Sequence, residues 1–305
     1  MKIHLCFLTT ALMAASLLAA SATAQAEESQ FAYTYTTDLL PKGAKEVEQW
    51  ATWRHQKIAG KFDQLENRTE FEYGVTDKLQ LAVYANYNWS RAYHNGPNGE
   101  TTQPEQFADY DVDPDSKWHG KRLVGISGEA IYRISSPYTS KLGVAVYAEP
   151  TIGKNFREIE TKLILQKNFL DDRLITAFNF TYAPEWRYLR DDNNPAARKW
   201  QEETDVNFTF AASYRFRENW SAGAELINER EFNGFHFDRK SNSGYYFGPT
   251  IHYGGKRFFV TATALQQLPW AKVHSNTVDG AIVGGRVYDN DFEKYRLRIK
   301  AGITF

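Results

Sequence analysis

His274-Ser275-Asn276 sets a base, a hydroxyl and an amide side by side, the residue types of nucleophilic hydrolysis. Their adjacency argues against that chemistry. Consecutive side chains on an extended segment point to opposite sides, so three neighbours do not converge on one substrate atom. The run reads as a polar loop. His55, His94, His119, His236 and His252 are scattered, and no spacing among them specifies a metal site. Asp109-Tyr-Asp-Val-Asp-Pro-Asp115 is an alternating acidic run whose oxygens suit a hard cation. An EF-hand loop beginning at Asp109 would need glycine and glutamate where Pro114 and Gly120 stand, so a solvated acidic loop is the better reading. No phosphate-binding glycine loop or nucleophile elbow is present. The sequence thus offers no catalytic residue, cofactor site or metal site, and the expectation is a protein that is not an enzyme.

The charges are better organised. Glu66, Arg68, Glu70 and Glu72 alternate with Leu65, Thr69, Phe71 and Tyr73. Near the end of the chain, Arg296, Arg298 and Lys300 alternate with Leu297, Ile299, Ala301 and Ile303. Period-2 separation of this kind makes a strand with one polar and one apolar face. It recurs in Leu79-Leu81-Val83-Ala85-Tyr87-Trp89, Val124-Ile126-Gly128-Ala130-Tyr132, Leu142-Val144-Val146-Ala148 and Thr204-Val206-Phe208-Phe210-Ala212-Tyr214. Each apolar face runs for about 10 residues, the length a tilted strand needs to cross a bilayer.

Twelve such segments start near residues 46, 62, 78, 121, 141, 158, 173, 202, 220, 244, 257 and 294. Tight turns such as Val75–Lys78, Leu170–Arg173 and Gly254–Lys256 join alternate pairs. The other connections are mostly long and polar: Arg91–Gly120, Trp186–Gln201, Arg230–Ser243 and Leu268–Glu293. Short turns at one end and long loops at the other predict an all-β chain forming one transmembrane, antiparallel, up-and-down barrel of about 12 strands. A soluble sandwich explains neither the chain length, the heavily charged parity nor the loop rhythm. Trp50, Trp53, Trp89, Tyr132, Tyr182, Trp200, Phe216, Trp220, Tyr253, Phe258 and Tyr295 lie near strand ends, where aromatic girdles form. The 305 residues carry 36 Lys+Arg against 37 Asp+Glu, a net charge of −1 that gives no reason to expect a nucleic-acid partner.

Orientation follows from a magnitude. An Arg or Lys held against lipid at mid-depth costs about 2–4 kcal/mol, so the charged parity must face the lumen. That places Glu48, Arg54, Glu129, Arg133, Glu160 and Lys162 inside with the two clusters above. Glu203, Asp205, Glu225 and Glu229 join them. The acidic cluster of the second strand and the basic cluster of the last both neighbour the first strand after closure, so they are expected to meet there. A mixed-charge lumen can form a salt-bridged filling or a narrow, charge-selective aqueous path. With 8 strands filled by side chains and 16–18 open, about 12 leaves room for a constricted pore.

Residues 1–26 have the form of a Sec signal peptide: Met1-Lys2, an apolar run from Leu5 to Ala20, and small residues that allow cleavage after Ala24 or Ala26. The single cysteine, Cys6, lies in that leader, so the mature chain is expected to carry no disulfide. Residues 27–45 are expected to form an N-terminal periplasmic segment and 46–305 the barrel, with Glu27–Gly43 open to filling the periplasmic mouth, pairing loosely or remaining flexible.

The ending from Tyr295 to Phe305, with an aromatic at each end, resembles the C-terminal assembly signal of bacterial outer-membrane proteins. Leu40-Pro-Lys-Gly43 with Glu46-Val-Glu-Gln-Trp50, and Glu72-Tyr-Gly-Val-Thr-Asp77, are similar to an uncharacterised family of outer-membrane barrels. The resemblance implies the outer membrane as location, with outer-membrane lipid, lipopolysaccharide and the barrel assembly machinery as partners. It supplies no substrate. A porin-like channel for small hydrophilic solutes is the leading expectation, against a non-conducting structural barrel or a lipid-active enzyme. Resemblance to outer-membrane phospholipases would require a base and nucleophile from neighbouring strands, which the His274 run does not provide.

Overall fold

The computed structural model describes residues 29–305 apart from 58, 192–193, 238, 272–279 and 284. The leader and the His274-Ser275-Asn276 run therefore lie outside the described residues. Strands β1 (Lys45–His55), β2 (Lys61–Thr76), β3 (Leu79–Tyr93), β4 (Trp118–Ser135), β5 (Gly143–Ile152) and β6 (Phe156–Phe169) follow in order. They continue as β7 (Leu174–Asp191), β8 (Asn194–Arg217), β9 (Trp220–Asn233), β10 (Arg239–Gly254) and β11 (Phe258–Gln267). A small hairpin of β12 (Gly280–Val283) and β13 (Arg286–Asp289) precedes β14 (Tyr295–Thr304). β1 to β11 and β14 pair antiparallel with their neighbours into one closed barrel, as the alternation predicts. Closure joins β1 to β14 with Glu46 opposite Thr304 and Arg54 opposite Arg296.

The polarity is the reverse of a soluble protein. Outward positions are large and apolar: Val83 is 57% exposed, Ile126 61% and Ile152 69%. Inward positions include buried Glu48, Glu70, Glu129, Glu225 and Arg296. Among the described residues no helix is long and apolar enough to cross a membrane; the continuous apolar surface is made by strands.

Local chemistry sets the tight turns. Leu170, Asp171 and Asp172 all have positive φ between β6 and β7, and Asn219 does between β8 and β9. Asp and Asn tolerate that conformation because their short side chains satisfy local backbone groups.

Three expectations need correction. Trp186–Gln201 and Arg230–Ser243 are not loops: β7 with β8, and β9 with β10, continue through most of those residues as extended hairpins. Val124 does not face outward. A bulge sets Asn86 opposite Gly125 but Tyr87 opposite Leu123, which reverses the parity, and Val124 lines the lumen. Trp50 is no girdle residue; it is buried inside, whereas Trp53, Trp89 and Trp220 are exposed on the outer face. The period-2 rule itself sends Trp50 inward, on the parity of Glu48 and Arg54.

The described part of the N-terminal segment runs within the barrel and fills its short-turn mouth. Phe31 packs on Ile175, Ala177 and Ala211, Tyr33 joins the cluster of Ile227, Tyr246 and Leu265, and Leu39 joins Ile131, Ala145, Tyr147 and Ile164. Burying a ring such as Phe31 stabilises by about 1.5–3 kcal/mol. Its backbone needs partners too, since a segment of bends inside a barrel joins no ladder. The wall supplies them. Asn179 accepts from Tyr35 N–H at 2.7 Å, Gln166 from Thr37 N–H at 2.7 Å, and Gln80 from Leu40 N–H at 2.8 Å. The segment fills the half of the lumen nearest the short turns.

Candidate functional site

The lumenal charges sort into layers. Nearest the short turns, Glu48, Glu70 and Glu72 are buried on β1 and β2, with Lys300 of β14 3.6 Å from Glu48. Arg133 of β4 donates to the carbonyls of Asp77 at 2.6 Å and Thr37 at 3.3 Å. Glu225 of β9 accepts from the backbone N–H groups of Ala32, Tyr33 and Thr34 at 2.9–3.0 Å. Arg298 donates to Thr52 at 2.8 Å and to the Ala32 carbonyl at 3.2 Å, its guanidinium 3.8 Å from the centre of the Tyr33 ring. These residues hold the N-terminal segment as well as lining the wall.

At mid-depth, Arg68 pairs with Glu149 at 3.3 Å and lies over the Tyr84 ring at 4.5 Å. Tyr84 donates to Glu129, and Lys162 pairs with Glu160 on its own strand. Nearer the long loops, Arg296 grips Glu229 through two bonds of 2.6 Å and also contacts Glu293. Arg54 joins this network through Glu66 at 2.9 Å and Glu293 at 3.3 Å. Arg187 gathers Glu185, Glu203 at 3.1 Å and Glu105 at 3.0 Å, and Asp205 lines the space beside them.

The expected meeting of the β2 acids with the β14 bases across β1 is only partly found. Arg296 reaches across to Glu229 on β9 instead, because Arg54 stands directly opposite it on β1 and takes Glu66. Tyr295 and Phe305 lie on the outer face, 42% and 48% exposed.

Several lumenal groups escaped the sequence reading. Glu149 shares its parity with Ala145 and Tyr147, so its face of β5 reads as apolar as the opposite one. Glu158 stands on the parity of Glu160. Arg187 fell in the expected Trp186–Gln201 loop, and Glu185 stands immediately before it. Their charge at alternate positions was the available signal.

Among the described residues, two cavities of about 320 Å³ each lie above the N-terminal segment. Trp50, Tyr33, Tyr35, Arg68, Asn86 and Asn207 are among the walls of the inner one. The outer one is markedly acidic, with Glu105, Asp205, Glu231, Asp291 and Glu293 around it. The two adjoin across Arg54, Glu66, Gln106, Arg187, Asn207 and Glu229. Gln106 belongs to the long β3–β4 loop, which folds inward through a short helical turn at Glu105–Phe107 and buries Phe107 against Phe62, Ala92 and Trp118. Arg122 of β4 anchors that loop by gripping Asp109 at 2.5 and 3.1 Å. Burial raises the Asp109 carboxyl, but the Arg122 bonds dominate and hold it at about 2. Asp111 reaches Arg198 at 3.3 Å, and Asp113 binds Ser116. The acidic run thus tethers loops.

The arrangement is a closed twelve-stranded barrel with an apolar exterior, a polar interior, and a lumen narrowed from one end by a loop and filled from the other by the N-terminal segment. The family model of DUF6662, a family of unknown function, matches residues 23–305, and the chain belongs to that family. No curated protein matches the sequence. Among solved structures the chain is similar to an outer-membrane channel from Pseudomonas putida F1, at 12% identity and TM-score 0.55, over 88% of this chain and 98% of that one. It is also similar to the NanC porin, at 9% identity and TM-score 0.49, over 84% and 98%. At 12% identity the likeness to the channel is one of fold, that of an outer-membrane β-barrel.

Proposed function

We propose that this protein resides in the outer membrane and admits small hydrophilic solutes through its mixed-charge lumen, with the N-terminal segment as the obstruction that must yield. The observation that carries this reading is the pair of adjoining polar cavities, which runs from the long-loop end down to Tyr33 and Tyr35. A barrel with only a structural role needs no such space. The wall suits a polar solute: amides and aromatic rings line the inner chamber, and ionic groups are mostly paired. The acidic outer chamber favours neutral or cationic solutes over anions.

Export by the Sec route, insertion by the barrel assembly machinery and contact with lipopolysaccharide are part of the same proposal. The exposed apolar band supports it, since such a surface is stable only against lipid. One competing reading has its own support: the Arg54–Glu293–Arg296–Glu229 network is the pairing expected of a permanently closed, structural barrel. Solute-uptake swelling of liposomes carrying the refolded protein separates the two. Uptake of neutral and cationic solutes ahead of anions of equal size supports the passage. Swelling no faster than in protein-free liposomes, for every solute, supports the structural barrel.

A further inference from the structure

The short-turn end of the lumen holds a concentration of carboxylates that neither the passage nor the N-terminal segment explains. Glu46 and Glu48 stand at alternate inward positions of β1, and the register sets Glu72 opposite Glu46 and Glu70 opposite Glu48 on β2. The four are 0–5% exposed. One carboxylate oxygen from each of Glu46, Glu48 and Glu72 lies within 4.8 Å of the others. Calcium–oxygen bonds of about 2.3–2.6 Å require ligand oxygens no more than roughly 5 Å apart, so one ion fits among these three.

A second observation points to a ligand. Glu48 is fully buried, its Oε2 accepts from the Trp50 indole at 2.5 Å, and its Oε1 has no hydrogen-bond partner. Glu70, 2% exposed, has the Glu72 carboxyl beside it and no donor from a neutral or basic side chain. Buried carboxylate oxygens without donors are costly unless a positive charge compensates them. Lys300, 3.6 Å from Glu48, approaches the cluster, but one ammonium does not balance four carboxylates.

We propose that Glu46, Glu48 and Glu72, with Glu70 beside them, form a calcium site on the inner wall at the barrel seam. All-oxygen, carboxylate-rich coordination is what a hard divalent cation takes. The site sits where two features meet. Thr304 of β14 donates to Glu46 at 2.6 Å, which links it to barrel closure. Gln80 donates to Glu72 at 2.6 Å and accepts from Leu40 N–H at 2.8 Å, which links it to the N-terminal segment. An ion here ties β1, β2 and β14 to the point where that segment leaves the lumen. The site does not depend on whether the barrel conducts.

The proximity of Trp50 supplies the test. Terbium occupies calcium sites and luminesces when a neighbouring indole transfers energy to it. The intact barrel, refolded in detergent and freed of metal with chelator, is titrated with terbium and then with calcium. The expected result is one saturable terbium site per barrel, displaced by calcium. Trp50→Phe should remove most of the luminescence while calcium, followed by calorimetry, still binds one equivalent. The pair Glu48→Gln and Glu72→Gln should weaken binding by at least about tenfold. The loop pair Asp109→Asn and Asp111→Asn should leave it unchanged. Absence of saturable binding to the wild type overturns the proposal, as does luminescence undiminished in Trp50→Phe. Those two outcomes need no carboxylate variant to fold. Displacement by magnesium and not by calcium also overturns the assignment.

Discussion

The Glu225 carboxylate on β9 accepts both the backbone N–H of Thr34, at 2.9 Å, and its hydroxyl, at 3.0 Å. Ala32 and Tyr33 N–H groups and the Thr263 hydroxyl complete its shell. One wall residue therefore carries three consecutive backbone donors of the segment that fills the lumen. Hydrogen bonds to a charged acceptor contribute about 1.5–3 kcal/mol each, and an amide accepts through one oxygen only. Glu225→Gln should loosen the segment without opening the barrel. Limited proteolysis should cut between residues 29 and 41 faster in the variant, with the heat-modifiable barrel band unchanged. Equal cleavage rates would show that Glu225 does not hold the segment.

Arg296 and Arg298 are two residues apart and should behave differently. Arg296, 2% exposed, compensates Glu229 and Glu293, and removing one partner of a buried ionic network costs about 3–5 kcal/mol. Arg298 makes lighter contacts, to Thr52 and the Ala32 carbonyl. Arg296→Met should therefore lower the urea midpoint of the refolded barrel far more than Arg298→Gln, whose effect should be about 1–2 kcal/mol. The two midpoints decide the matter; matching shifts would mean that the Arg296 network adds little.

Acid should loosen the long-loop end first. Burial raises the Glu293 carboxyl, but Arg296 and Arg54 overcome that and bring it from 4.5 to about 2. A lowered folded value stabilises fully above the ordinary carboxylate range and is lost as pH falls from about 4.5 towards 2. The contribution is on the order of 3 kcal/mol. Asp109 adds a loss in the same direction, from 3.8 to about 2. Between pH 5 and 2 the wild type should lose stability steeply, and Glu293→Gln should flatten that dependence. Midpoints of urea unfolding measured across this range, with parallel curves for wild type and variant, would refute the assignment.

The barrel was legible because lipid enforces a strict rule: each strand separates apolar from charged residues, and a one-residue slip would put Arg298 or Glu70 against hydrocarbon. Strand number and closure follow from that pattern. The N-terminal segment was not legible, because Phe31, Tyr33 and Tyr35 alternate with the small residues Ala32, Thr34 and Thr36 yet pair with no strand. Its partners, Glu225, Asn179, Gln166 and Gln80, come from four distant strands, and no local spacing records such contacts. Arg296 shows the same limit: its inward direction is a matter of parity, but its choice of Glu229 over the β2 acids depends on where Arg54 stands.

Phe305 sits at the seam, where its backbone N–H donates to Lys45 at 2.9 Å, and its ring lies on the outer face. That outward position on the final strand makes assembly its proposed role. Phe305→Ala should reduce the amount of barrel inserted in cells, and the inserted fraction should have wild-type stability. Equal membrane levels at low and high expression would argue against that role.

The central claim is that the N-terminal segment sets the passage through an otherwise traversable lumen. Single-channel recording in planar bilayers tests it most directly, comparing wild type with a variant lacking residues 29–39. The wild type should show small or intermittent conductance, and the shortened barrel a larger, steadier and cation-preferring one. If the shortened protein inserts as a folded barrel and remains as silent as the bare bilayer, the lumen is closed by its own wall and the passage is contradicted.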